Sequence, residues 1–325
     1  MSGWGLWQIA SLWQYFAWLQ EYNTRVVVFG TAILGAVCGV VGTFTLLRKR
    51  ALLGDALSHA TLPGIVLAFL LAPVVGVADK SLSWLLLGAT ITGVMGILTI
   101  QLLVHFTRLK EETAMGLVLS LFFGAGVSLL VLAEHSAGNA AGLEGFIYGK
   151  TASMIAFDAW LIAGAAIVCG VLVFLFLKEL TLLCFDEDFA RFSRLPVFVL
   201  DLLLMALLTI LTIVGLQAVG LILIVSLLII PAASARFWTN RIQVMIPISA
   251  ILGGMGGAIG SVLSAIFPNL PSGATIVLVL AFGFFVSLFF GRAHGVITRW
   301  RERRAFLNSL NHPVQTSASA NLTQG

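Results

Sequence analysis

Charge is scarce in this chain of 325 residues. Only 10% of its residues are Asp, Glu, Lys or Arg, against roughly 25% in soluble domains. With 59% hydrophobic residues and a mean hydropathy of +1.05, the shortage excludes both a soluble globular domain and a disordered chain. Cysteine is also scarce. Cys38, Cys169 and Cys184 stand far apart with no CxxC among them, which excludes a zinc knuckle and a disulfide framework. No G-x-x-x-x-G-K-[ST] occurs, so the chain does not bind ATP in the P-loop manner, and no H-E-x-x-H marks a metalloprotease.

Long apolar runs remain. A membrane-crossing helix needs about 20 apolar residues, and by that measure spans are expected near 26–47, 51–73, 82–104, 114–133, 157–177, 196–216, 219–235, 243–266 and 274–290. The run 219–235 is short enough to be a broken or half-length segment, so the expected fold is an all-α polytopic transmembrane bundle of eight or nine spans. Basic residues gather between the runs: Arg48, Lys49 and Arg50; Arg108 and Lys110; Lys178, Arg191 and Arg194; Arg236 and Arg241; and Arg292 with Arg299, Arg301, Arg303 and Arg304. Nine spans with the N-terminus outside and the C-terminus cytoplasmic leave only Arg25, Lys80 and Lys150 of the 18 basic residues outside, as the positive-inside rule requires. This clustering accounts for the net charge of +4 without a nucleic-acid partner.

The connections and ends differ in character. Residues 1–24 hold Trp4, Trp7, Trp13 and Trp18, broken by Gln, with no basic n-region or cleavage site. They suit an interfacial helix better than a signal peptide or a span. The stretch 134–156, rich in Gly and small residues, is expected to fold back into the mouth of a pathway. The stretch 178–195, KELTLLCFDEDFARFSRL, is amphipathic with mixed charge. The permease body is expected over 25–300, and 301–325 reads as a basic, then polar, cytoplasmic tail that is disordered.

Polar residues inside apolar runs carry the functional signal. Asp55 and His59 stand four apart in LLGDALSHATLPG, hence on one helix face. Carboxylate and imidazole both suit zinc, manganese or iron(II), and facing lipid they would be costly. The bland alternative pairs Asp55 with the Arg48–Arg50 cluster or with His59. Two ligands cannot complete a coordination shell, so water, a delivering partner or a second subunit must supply the rest. Asp201 is expected to pair with Arg194. Gln217 reads as a pathway residue or an interfacial amide, His105 and His294 as interfacial, and His135 as a solvated histidine or one that receives a metal. GGMGGAIG (253–260) lacks the Lys-Ser/Thr of a phosphate cradle. Its small-xxx-small spacings Gly253/Gly257 and Gly256/Gly260 predict close helix packing, as do Gly35 and Gly39. Asp55 with Asp201 does not make an intramembrane aspartyl protease, because Leu52-Leu53-Gly54-Asp55 is not G-x-G-D.

RALLGDALSHATLPGIVLAF (50–69) and LQAVGLILIVSLLIIPAASARF (216–237) resemble, in order and spacing, two long motifs of the membrane permeases of the zinc, manganese and iron branch of bacterial ABC importers. FDEDFARFSRLPV (185–197) is similar to that family's cytoplasmic segment that docks on the ATPase. The resemblance covers roughly 25–300 and places the chain in the bacterial plasma membrane. It implies that Asp55 and His59 contact the ion in transit, and that Phe185, Asp186, Glu187, Ala190 and Arg191 belong to the coupling helix. It makes Pro231 a candidate gating kink. It also implies a divalent substrate (manganese or zinc, with iron a third candidate) and no permanently bound cofactor. ATP would be held by a partner subunit, with an extracytoplasmic binding protein and a second permease chain, identical or sister, completing the assembly in lipid. The other reading is an ion-coupled secondary transporter using Asp55/His59 as a proton relay. Such a carrier works alone and needs no docking helix.

Overall fold

The computed structural model describes residues 21–76, 81–137, 151, 154–267 and 270–311. The Trp-rich segment, most of the loop 134–156 and the tail beyond 311 lie outside the described residues. The fold is all-helical among those described. Eight helices are long and apolar enough to cross a membrane: α1 (Tyr22–Leu47), α2 (Leu53–Val75), α3 (Leu82–Phe106), α4 (Glu111–Ala137), α5 (Ala156–Leu175), α8 (Val197–Val219), α10 (Ile242–Ile266) and α11 (Ser272–Phe290). Between α5 and α8 lie the short helices α6 (Leu177–Phe185) and α7 (Glu187–Phe192), and α9 (Leu221–Arg236) is the half-length segment. Its 16 residues extend about 24 Å at 1.5 Å per residue, short of a hydrocarbon core of about 30 Å.

One expectation fails at the C-terminal end. Residues 301–311, placed by the sequence in a disordered tail, belong to helix α12 (Val296–Asn311). Arg304 lies over the Trp300 ring at 3.5 Å from its centroid. This cation–π contact joins two residues four apart on one face, in a segment free of Gly and Pro.

α1, α2 and α8 are the inner helices, each with more than half of its most apolar window buried, whereas α4 is the most outward-facing span. α1 packs along α10 and also against α9 and α5, and α2 packs against α3 and α4. The α1–α10 contact is backbone to backbone. A Cβ on Gly35 would overlap the carbonyl of Gly253, and one on Gly253 would overlap the carbonyl of Gly35. In lipid no hydrophobic force drives helices together, so this close approach is what dispersion and short polar contacts require. Thr31 Oγ1 adds one such contact, with Ser261 Oγ at 2.8 Å, and Ser249 Oγ donates to the Gly39 carbonyl at 2.7 Å. α8 turns into α9 through Gly220 alone, at φ 85°, a left-handed conformation that a side chain would strain.

Side-chain contacts assign the helix ends to two layers. The end of α1 meets α6, α7 and the start of α8 through Arg48, and Arg50 meets the start of α4. At the opposite layer Gln217, near the end of α8, donates to Asp158 at the start of α5 at 2.8 Å.

Candidate permeation site and its charged layer

Asp55 lies in the first turn of α2 and His59 one turn further. His59 Nε2 stands 3.5 Å from Asp55 Oδ1, and the two side chains are 18% and 32% exposed. The His59 ring meets Phe123 of α4 edge to face, with centroids 4.7 Å apart. Its Nδ1 is buried without a hydrogen-bond partner, an orphan that a buried polar atom does not normally remain. Four residues on, Pro63 sits inside the helix and has no N–H for the His59 carbonyl, so that rung of the helix is missing. The pair thus offers one carboxylate and one unsatisfied imidazole nitrogen beside a locally weakened helix. Among the described residues no group of three or more His, Cys, Asp or Glu could hold a metal, so the pair alone does not close a shell.

The Arg48–Arg50 cluster is not Asp55's partner. It pairs with Asp201, which the sequence had assigned to Arg194. Arg48 Nη2 donates to both oxygens of Asp201, at 2.8 and 2.9 Å, while its Nη1 donates to Glu187 Oε2 at 2.9 Å and to the Leu183 carbonyl at 3.2 Å. Arg50 reaches Asp201 at 3.2 Å and, through Nε, Glu111 at 2.6 Å. Arg48, Arg50 and Asp201 side chains are only 10–13% exposed, and such charges persist only when paired. Burial works against the Arg48 charge, but the hydrogen bonds it donates to Glu187 and Asp201, with the negative charge of both carboxylates, outweigh it and hold the guanidinium above its ordinary pKa. The Arg48 hydrogen bond holds the Glu187 carboxyl below the usual carboxylate range, against a smaller opposing effect of burial and with help from Arg191.

Arg194 instead shapes the turn before α8. It and Lys49, in the turn before α2, are the non-glycine residues with positive φ among those described, at 59° and 60°, a conformation costing about 1–2 kcal/mol each.

Segment 178–195 breaks at Asp186, whose side chain caps α7 by accepting from the Phe189 N–H at 2.8 Å. Arg191 and Glu187 pair one turn apart at 2.6 Å and Ala190 is buried, leaving Phe185, Phe189 and Phe192 exposed. Pro231 lies buried within α9. Gln217 donates through Nε2 to Asp158 while its Oε1 is buried without a partner, His135 is exposed in the last turn of α4, and His294 is bonded to Asn240 at 2.7 Å. His105 meets Phe106 edge to face.

A multi-span bundle with a carboxylate–imidazole pair on an inner helix, and a short capped helix beyond its membrane spans, has the build of a transport permease rather than an enzyme. Residues 20–291 match the model of the ABC 3 transport family, and the chain belongs to that family. It is 43% identical to the zinc transport system membrane protein TroC of Treponema pallidum (strain Nichols), over 88% of this chain and 95% of that protein. It is 41% identical to the manganese transport system membrane protein MntC of Bacillus subtilis (strain 168), over 89% of this chain and 65% of that protein. Among solved structures it resembles PsaBC from Streptococcus pneumoniae in complex with Fab, with a TM-score of 0.75 and 28% identity over 90% of this chain and 99% of that one. The chain is a multi-pass permease of the bacterial plasma membrane without an ATPase site of its own. The secondary-carrier reading finds no support in these relatives.

Proposed function

We propose that the chain forms the translocation path of an ATP-driven importer that carries a divalent transition-metal ion, manganese or zinc, into the cytoplasm by alternating access. The observation that carries the reading is the Asp55–His59 pair, with its orphaned Nδ1, in a family whose relatives are named for manganese and zinc transport. Carboxylate and imidazole bind either ion, and two ligands from one chain hold it loosely enough to release. A second permease chain bringing its own pair, or water, completes the shell. It would also cover side chains that are costly to leave facing lipid.

An extracytoplasmic binding protein delivers the ion, and ATP acts on a separate subunit that docks where α6 meets α7, at Phe185, Asp186, Glu187 and Arg191, with Ala190 buried behind them seating α7 on the bundle. Pro231 leaves the Leu227 carbonyl without its helical donor and gives α9 a place to bend. The charged layer then faces the cytoplasm.

The test is uptake of manganese and zinc by proteoliposomes holding the chain with its ATPase and binding protein. Asp55→Ala and His59→Ala should each lower uptake by more than about tenfold, since each removes one of the two ligands the chain offers the ion, while ATP hydrolysis by the assembled complex persists. Undiminished uptake in both variants would reduce the pair to a structural contact.

A further inference from the structure

The buried charges at the end of α1 are more than a helix anchor. We propose that Arg48, with Arg50 and Asp201, is a positioning joint that converts displacement of α7 into movement of the metal-bearing helix. The inference deepens the importer reading and rests on it. Arg48 stands in the turn between α1 and α2, and its two terminal nitrogens serve different elements: Nη1 holds Glu187 of α7 and the Leu183 carbonyl of α6, and Nη2 holds Asp201 of α8. Arg50, two residues on, accepts the Leu53 N–H that begins α2 and ties the same Asp201 to Glu111 of α4. A push on α7 therefore reaches the start of α8 through the Arg48 fork, and the root of α2 and the start of α4 through Arg50, which shares Asp201 with it.

Two further observations favour a moving joint over a static tie. The turns it clamps, before α2 and before α8, hold the left-handed non-glycine residues Lys49 and Arg194. Such strain persists only where surroundings impose it, and it gathers at switch regions. Moreover, a buried ion pair adds little to stability over an apolar substitute, and its best-attested use is to fix one arrangement among alternatives.

Geometry dictates the variant. Lysine keeps the charge of Arg48, but an ammonium is a point donor that cannot span Glu187 and Asp201 as a guanidinium fork does. Asp201→Asn keeps the shape and removes the charge at the other end. In proteoliposomes with ATPase and binding protein, both variants are expected to hydrolyse ATP within about twofold of wild type. Manganese taken up per ATP should fall roughly tenfold, within the range over which residues of a coupled network alter coupling. A merely structural role would lower the amount of assembled complex and scale uptake and hydrolysis together, leaving their ratio unchanged. An unchanged ratio in both variants, or failure of both to assemble, overturns the joint. The wild-type arm separates the two ideas: if it takes up neither manganese nor zinc, the importer reading falls and the joint with it. If it transports and the variants keep its ratio, only the joint falls.

Discussion

Gly253 and Gly164 are both glycines in membrane helices, yet their environments are opposite. A Cβ at Gly253 would meet the Gly35 backbone, whereas one at Gly164 would have nothing within 4 Å. Gly253→Ala should therefore push α10 off α1 and destabilise the protein by about 1–3 kcal/mol, the usual cost of overpacking. Gly164→Ala should be neutral or slightly stabilising, through helix propensity of up to about 1 kcal/mol. Thermal unfolding of the two variants in detergent checks the pair, and equal melting temperatures would remove the α1–α10 backbone contact from the account. Single residues of this kind were legible in the sequence where a local rule applied. The four-residue spacing put Asp55 and His59 on one face, and the small-xxx-small spacings pointed to close packing. Asp201 was misread because locality suggested Arg194, seven positions away, while its partners lie 153 and 151 positions away, a distance no spacing rule reports. Arg194 is occupied otherwise, in a left-handed turn.

Element by element, the apolar run is the most readable signal of all, because hydrocarbon thickness sets helix length. The expected spans match the observed helices to within a few residues, and the short run at 219–235 is the half-length α9. α12 escaped because a basic, polar segment has no apolar run, and its helical cue was the Trp300/Arg304 spacing. The helix α7 carries a prediction of its own. Glu187 is held below the usual carboxylate range chiefly by its hydrogen bond to Arg48. A depressed carboxyl contributes to the tie fully above its ordinary, unfolded-state pKa, and that contribution is lost as pH falls through the lower folded value. A nitroxide on Phe192→Cys, an 85% exposed position, in a background whose native cysteines are replaced, should report unchanged mobility from neutral pH down to the ordinary carboxylate range. Mobility should rise only below that range. Glu187→Gln should make α7 mobile at neutral pH and remove this step, and a step that persists in that variant would assign it to another carboxyl. Asp186, as the cap, is a separate contribution: Asp186→Ala should cost α7 about 1 kcal/mol and raise the mobility of the same nitroxide at neutral pH.

At the scale of the whole molecule, the parity of the bundle decides which side each end faces. α9 is too short to span hydrocarbon alone, but it descends from Gly220 packed against α1, α10 and α11, which bury one side of it and leave Ile222 exposed on the other. Counted as a return, it makes nine passes, with α1 beginning and α11 ending at opposite layers. The charged layer holds the end of α1 with the starts of α4 and α8, and on the importer reading proposed above that layer is the cytoplasmic one, the side on which the positive-inside rule gathers Lys and Arg. On the same reading α12, with Arg299, Arg301, Arg303 and Arg304, follows α11 onto that side. With the native cysteines replaced, Glu302→Cys on α12 should react with a membrane-impermeant maleimide only after the cells are permeabilised. Ile155→Cys, 59% exposed before α5, should react in intact cells. Labelling at both positions from one side would mean that α9 does not complete a pass. Reversal of the pattern would place Arg48, Asp201 and α7 outside, where no ATP-driven subunit could push them, and both the importer direction and the joint would have to be abandoned.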